Sequence, residues 1–260
     1  MAFLADIIQP LYSILFSNSP FMSGRPVNKR NMRWKIWADT DPRRCGSLFE
    51  HGINSAEKTT DQYVAWLPNI KTIFKYNKSG ATEPFNGTLG KMILSEPSKM
   101  QPHINSALHQ SFTHVRFKTV LEVRAADRPP KDSELAPAAF LAGLLTAPKT
   151  RAEGIDVISR WSHDDRKQLV ETAHNLSLNQ LGPENKSIGD WLEFWAELSL
   201  KGLNEREKIF EIKNERPLVQ SFLEDVLARG PKTTQTQNMF QKTNASLHDF
   251  LRQACLDSAS

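Results

Sequence analysis

Cysteine is scarce in this sequence: 260 residues hold only Cys45 and Cys255, and neither has another Cys or a His at metal-site spacing. Two cysteines exclude a disulfide framework and point to a reducing compartment, so a cytoplasmic location is expected. Long apolar runs are also missing. The stretch Phe3 to Phe16 is interrupted by Asp6, Gln9 and Pro10 and has no basic segment ahead of it, which excludes a membrane span and makes a poor signal peptide. It reads as a core helix kinked or restarted at Pro10. Charge of one sign is scarce too: 33 Lys and Arg against 29 Asp and Glu leave +4. That excess lacks the dense one-sided clustering of a phosphate-tracking surface, so neither nucleic acid nor membrane is an expected partner. No Walker-type or dinucleotide Gly-rich loop occurs, and no nucleophile elbow around a serine.

What is present is a globular composition, 39% hydrophobic and 24% charged, long enough for one large domain or one domain with a helical extension. Basic residues concentrate between Arg25 and Arg44. Within that stretch, Met32 to Trp37 (MRWKIW) reads as a strand with Arg33 and Trp37 on one face, a pairing suited to holding an anion. A helix is expected over Thr59 to Leu67, a strand over Ile70 to Tyr76, and loop over 77–102 apart from a short helix at Thr88 to Leu94. The clearest strand is Thr119 to Ala125 (TVLEVRA), preceded by Val115 to Phe117 and ended by Asp127 and Pro129-Pro130. Beyond it, Leu135 to Leu145 is an apolar helix. Further helices are expected at Asp156 to Trp161, Asp164 to Asn175, Ile188 to Leu203, Arg216 to Arg229 and Ala245 to Cys255, with Gly230-Pro231 as a stop.

The alternation in TVLEVRA places Glu122 and Arg124 on one face of the strand. A carboxylate and a guanidinium so arranged suit either a metal–nucleotide site or an ordinary structural ion pair. His103, His109 and His114 are spaced six and five apart, which puts no two on one helical face and argues against a metal trio. Trp191, Phe194 and Trp195 fall at i, i+3 and i+4, the mark of a buried helix face.

Several segments taken in order carry more. Asn18-Ser19-Pro20-Phe21 with Gly24-Arg25, then Met32-Arg33 and Ile36-Trp37-Ala38-Asp39-Thr40-Asp41-Pro42-Arg43-Arg44-Cys45-Gly46, resemble the NSP-W/F-x-x-G loop, the S-x-R-x-x-x-W strand and the D-x-x-R-T-G turn of the plant and proteobacterial glutamate-cysteine ligases. Asp61-Gln62-Tyr63-Val64 is similar to the helix that precedes that family's D-V-P-M-x-F segment. Phe112-Thr113-His114-Val115-Arg116 and Leu121-Glu122-Val123-Arg124-Ala125-Ala126-Asp127 resemble its F-P-x-V-R and Y-x-E-x-R-x-A-D, and Ala136 to Leu145 its alanine-proline-rich helix ending in G-L-L.

The resemblance implies an α+β fold related to glutamine synthetase, an antiparallel sheet curved around the active site. Residues 1–150 would be a partial catalytic sheet with flanking helices, and 151–260 a helical C-terminal region. It also implies ATP and Mg2+ as cofactors and a reaction that phosphorylates the side-chain carboxylate of glutamate, after which the cysteine amine attacks the acyl phosphate to give γ-glutamylcysteine. Arg124 would be the catalytic phosphate or intermediate binder, Glu122 a metal ligand, and Arg33, Arg116 and Trp37 the substrate- or phosphate-binding residues.

The sequence departs from the family where its D-W-x-x-H-L-T-T segment falls: Ile104 stands at the Trp position and Ala107 at the His position. Cys45 replaces the Thr of D-x-x-R-T-G and reads as a small buried residue. One carboxylate does not hold several Mg2+ ions, because hard cations take six or more oxygen ligands. The expectation is therefore a C-terminal portion that needs an N-terminal half or partner chain, or that self-associates through unpaired strand edges. The alternative is a non-catalytic relative kept as a binding or regulatory subunit, or a gene remnant.

Overall fold

The computed structural model describes residues 1–77 and 79–257. The chain divides into two compact units: one consists of Met1, Pro10–Lys35 and the chain from Ala125 onward, the other of Ala2–Gln9 and Ile36–Arg124. Helices and short strands together give the α+β class. Among the described residues the strands form four two-stranded pairs, three antiparallel and one parallel. No described helix is long and apolar enough to cross a membrane.

The first unit is mainly helical, with one short strand pair, Phe21–Met22 with Arg25–Pro26. Ala136–Thr146 and Ile188–Phe210 cross so closely that a Cβ added at Gly143 would lie 2.3 Å from the Ser199 carbonyl oxygen, and one at Gly202 would lie 2.0 Å from the Gly143 carbonyl oxygen. Only glycine permits that approach. Aromatic rings fill the core around the crossing: Phe16 stacks on Phe222 at 5.1 Å, and Tyr12 stacks on Phe140 at 5.9 Å. Trp191 and Trp195 are buried as their spacing requires, with Trp161 packed against both. Ser187 with Asp190, and Ser162 with Asp165, close capping boxes that fix two helix starts. Glu205 accepts the amides of Lys149 and Thr150 and thereby caps Pro148–Ser159.

Met32 to Trp37 is a helix, Met32–Ala38, and not the strand its alternation suggests. Asn31 starts it: its carbonyl accepts the Lys35 amide at 3.0 Å and its side-chain oxygen accepts the Trp34 amide at 3.4 Å. Met32 and Trp34 are buried two residues apart, which mimics strand periodicity, but Ile36 is half exposed and ends the alternation. The loop expected over 77–102 holds a strand, Thr82–Thr88, paired with Lys71–Tyr76. Asn77 builds the turn between them, its side-chain oxygen accepting the Ser79 and Ala81 amides. Pro84, which suggests loop, sits opposite Phe74 beside an irregularity in the register, where a missing N–H is tolerated. The helix Lys232–Gln241 has no expected counterpart in the sequence reading, because Gly230-Pro231 reads there as a stop, whereas Pro231 begins the new helix.

In the second unit, Asp6 is buried and its two carboxylate oxygens accept the Leu48 and Phe49 amides at 2.8 and 3.0 Å. Burial, against these two hydrogen bonds, pushes its carboxyl up to about 7. Gln110, also buried, occupies the outer edge of Lys71–Tyr76: its oxygen accepts the Ile73 amide at 2.8 Å and its NH2 donates to the Phe74 carbonyl at 3.0 Å. A side chain thus stands where another strand would pair.

Candidate functional site

Three short backbone pieces of the second unit build the site. Asp41 opens a turn: its Oδ1 accepts the Arg43 amide, and its carbonyl accepts the amides of Arg44 and Cys45. Cys45–Gly46 then pairs in parallel with Phe112–Thr113, and the Phe112 amide donates to the Arg44 carbonyl at 2.7 Å, which fixes Arg44 beside Phe112. The hairpin Val115–Phe117 with Leu121–Val123 sets Arg116 directly opposite Glu122. The Arg124 amide donates to the His114 carbonyl at 2.9 Å and holds the next residue but one in line.

Phe112 is the centre of the cluster. The guanidinium carbons of Arg124, Arg116 and Arg44 lie 5.3, 5.4 and 5.6 Å from its ring centroid. Trp37 stacks on the same ring at 5.9 Å and 24°, with the Arg124 guanidinium 4.8 Å from the indole. Glu122 ties the cations together. Arg116 grips it with two parallel hydrogen bonds of 3.0 and 3.1 Å, Lys118 approaches to 2.8 Å and Arg124 to 3.3 Å. Burial opposes its charge, but Arg116 and Lys118 outweigh burial and bring its carboxyl down to about 2. Arg116, only 6% exposed, also donates to the carbonyls of Ser111 and His109. Asp41 pairs with Arg44 at 2.9 Å.

Within this group four cations, Arg44, Arg116, Lys118 and Arg124, face two carboxylates, Asp41 and Glu122. The positive excess rests on aromatic faces, a less polarisable setting than water in which an anion's charge is felt strongly. The structure therefore brings together Trp37, Arg116, Glu122 and Arg124. Arg33 belongs to the first unit, near the buried Tyr12 hydroxyl. Arg44, Phe112 and Lys118 were not among the expected site residues. Arg44 and Phe112 had a signal, since they are the Arg of the D-x-x-R turn and the first residue of the F-x-x-V-R segment; Lys118 had none.

Two further expectations meet the structure here. Cys45 is buried, and burial pushes its thiol up, as suits a small packing residue. His103 and His109 lie on the helix Met100–Gln110, the first buried and the second exposed, and His114 follows Phe112–Thr113. No group of three His, Cys, Asp or Glu side chains among the described residues comes together in a way that would hold a metal ion.

Comparison with known proteins bears on this arrangement. Residues 4–180 match the family described as glutamate-cysteine ligase family 2. The chain is 30% identical over 175 residues to a chloroplastic glutamate–cysteine ligase of Nicotiana tabacum, which covers 62% of this chain and 32% of the relative. It is 29% identical over 171 residues to the chloroplastic enzyme of Arabidopsis thaliana and 31% identical over 174 residues to that of Medicago truncatula, with coverage of 62% of this chain in both. The chain thus spans about a third of the length of the curated relatives it matches. These relatives overturn the cytoplasmic location expected from cysteine usage, since each is named as chloroplastic. A low cysteine count speaks to redox conditions and does not say which compartment supplies them.

Proposed function

The chain belongs to glutamate-cysteine ligase family 2, and from that membership we propose that it serves the ATP-dependent ligation of glutamate to cysteine, supplying the anion-binding part of the site. In that reaction a side-chain carboxylate oxygen of glutamate takes the terminal phosphoryl group of ATP, and the cysteine amine then displaces phosphate from the acyl carbon. Each step concentrates negative charge, and positioned cations lower its free energy. Arg124 is the residue we assign to the acyl-phosphate end of glutamate. Arg116 and Glu122 position it: the fork between them is locked by backbone carbonyls on one side and orients the Arg124 guanidinium on the other. Trp37 and Phe112 lie against the Arg124 guanidinium and orient it through their ring faces. Arg33 keeps the role of a carboxylate or phosphate anchor in this reading, and the strand pairs of the second unit belong to a curved sheet of glutamine synthetase type.

Mg2+ does not fit the residues present. Glu122, the expected ligand, is already shared by Arg116, Lys118 and Arg124, and the described residues hold no acidic group that would complete a hexacoordinate oxygen shell. We therefore assign the metal ligands to residues outside this chain and Glu122 to the role of internal counter-ion. The same observation favours a second reading, a non-catalytic relative that binds substrate or regulates a partner.

The observation that carries the proposal is the convergence of three arginines on Phe112. Calorimetric titration with L-glutamate tests it. Wild type is expected to bind, and Arg124→Ala is expected to weaken binding at least tenfold, since a hydrogen bond to a charged group is worth roughly 1.5–3 kcal/mol. Equal affinity in the two proteins would overturn the assignment. Formation of γ-glutamylcysteine by the chain unaided would overturn the placement of the metal ligands elsewhere. Glutamate binding with no ADP release when ATP and Mg2+ are supplied, in the presence of the rest of a plant relative, would favour the non-catalytic reading.

A further inference from the structure

In the first unit, the helix Ile188–Phe210 turns one stripe of side chains, positions 197, 200, 201, 204, 205 and 208, into the floor of a trough of about 500 Å³. Spacings of three and four put these residues on one face. Lys149, from the start of Pro148–Ser159, and Arg216 complete the walls. The size is that of a small-molecule site. Apart from Lys149, the lining lies beyond residues 4–180, so most of the trough is outside the segment matched to the ligase family.

Four cations face two carboxylates, Glu197 and Glu205, in this lining. Glu205 is already committed, since its oxygens accept the Lys149 amide at 3.0 Å and the Thr150 amide and hydroxyl at 3.1 Å. Glu197 stands one helical turn before Lys201, the order that favours an ion pair, yet Lys201 pairs with Glu153. Among the described residues Glu197 has no hydrogen-bond or ion-pair partner, and neither Lys149 nor Lys208 has a carboxylate within 4 Å. Opposite charges outside the trough do pair, as Arg206 does with Glu215. Arg216 donates its Nε to Gln220 at 2.8 Å, which sets the guanidinium plane and leaves the two terminal nitrogens outside the described hydrogen bonds. Asn204 Oδ1 accepts from Asn214 at 3.3 Å, so its NH2 is the group it offers to a ligand.

The trough is graded along its length. Glu197 marks one end, Lys208 and Lys149, tied to Glu205 through its amide, mark the other, and Asn204 lies between. At 1.5 Å per residue the rise from Glu197 to Glu205 is about 12 Å, which the reach of the side chains shortens to the length of one phosphorylated sugar. We propose that this trough binds a small phosphorylated polyol, its phosphate among Lys149, Lys208 and Arg216 and its hydroxyl groups donating to Glu197 and accepting from Asn204. Lysine meets phosphate as a point charge and arginine as a planar fork. A ligand with an aromatic base finds no ring in this lining, a bare phosphate leaves Glu197 and Asn204 unanswered, and a zwitterion brings a positive group among four cations.

Glucose 6-phosphate, glucose and inorganic phosphate, each titrated into the full chain by calorimetry without added metal, test the proposal. Glucose 6-phosphate is expected to bind at least tenfold more tightly than either glucose or phosphate. The Lys149→Ala, Lys208→Ala double variant is expected to weaken it at least tenfold. Both side chains are exposed, and Glu205 is held by the Lys149 amide, so the variant is expected to keep the wild-type thermal transition and thereby certify its fold. Glu197→Ala is expected to lower the affinity for glucose 6-phosphate to that for phosphate, with phosphate bound no more weakly than in wild type. Arg124 belongs to the other unit, and Arg124→Ala is expected to leave glucose 6-phosphate binding unchanged, so failure of the ligase reading and failure of this one show in different variants. Undiminished binding of glucose 6-phosphate by the folded double variant would overturn the proposal, as would its failure to bind wild type or the binding of phosphate just as tightly.

Discussion

Glu122 is bound by three cations at once, so its removal is felt through all of them. Glu122→Gln leaves Arg116, whose side chain is 8% exposed, facing a neutral amide across its fork. A loss of roughly 2–3 kcal/mol of unfolding free energy is expected in a denaturant titration, toward the lower end of buried pairs because Glu122 itself is 30% exposed. The pH dependence has a definite sign. With its folded-state carboxyl near 2 against an ordinary 4.5, Glu122 contributes stability that is present above about pH 4.5 and lost as pH falls toward 2. Asp6 works in the opposite direction. Its folded-state carboxyl near 7 exceeds the ordinary 3.8, so the native state holds a proton that the unfolded chain has released, and stability falls as pH rises from about 4 to 7. Asp6→Asn is expected to remove that decline, visible as a flatter melting temperature between pH 5 and 7 than in wild type. The strand alternation makes Glu122 and Arg124 legible as one face from the sequence alone. It could not reveal Arg44 beside Phe112, because a parallel pairing of segments so distant in sequence leaves no periodic trace in either.

Elements show the same division between local and distant causes. The helices Ala136–Thr146 and Ile188–Phe210 are legible from apolar spacing and from the Ser187 capping box, whereas the closeness of their crossing is a property of the pair. Gly143→Ala and Gly202→Ala each gain about 1 kcal/mol of helix propensity, yet place a methyl group against a carbonyl oxygen at 2.3 and 2.0 Å. Separating the helices to relieve such overlap costs typically 1–3 kcal/mol and disturbs the core around Phe140, so both variants are expected to melt at lower temperature than wild type. An opposite shift would mean that the crossing is looser than described. Met32–Ala38 shows how an amphipathic pattern misleads: two buried residues at i and i+2 fit a strand, and only the cap at Asn31 distinguishes the helix. Asn31→Ala should therefore destabilise by about 1 kcal/mol. Thr82–Thr88 was hidden by Pro84 and the Gly/Pro content around it, because a proline at a register irregularity forms a strand that a simple propensity reading rejects.

For the whole molecule, the opening scarcities retain most of their meaning. Two cysteines, no described membrane-crossing helix and a small net charge agree with an α+β chain that carries its basic residues in defined clusters and not as a general surface property. Family membership is legible because the segments of the resemblance keep their order, although the described residues form only separate two-stranded pairs and not the wide sheet that the resemblance implies. Location was not legible, since cysteine usage reports redox state alone. The chain matches about a third of its plant relatives' length, and we propose for that third the binding of negative charge and not the coordination of metal. In the proposed reaction Arg124, held by Glu122 over Phe112 and Trp37, is the residue that recognises the carboxylate substrate. The most direct measurement is the affinity for L-glutamate of wild type, Arg124→Ala and Arg124→Lys, each shown to be folded by its thermal transition. At least a tenfold loss is expected in Arg124→Ala and a smaller one in Arg124→Lys, which keeps the charge without the planar fork. The same affinity in all three folded proteins would contradict it.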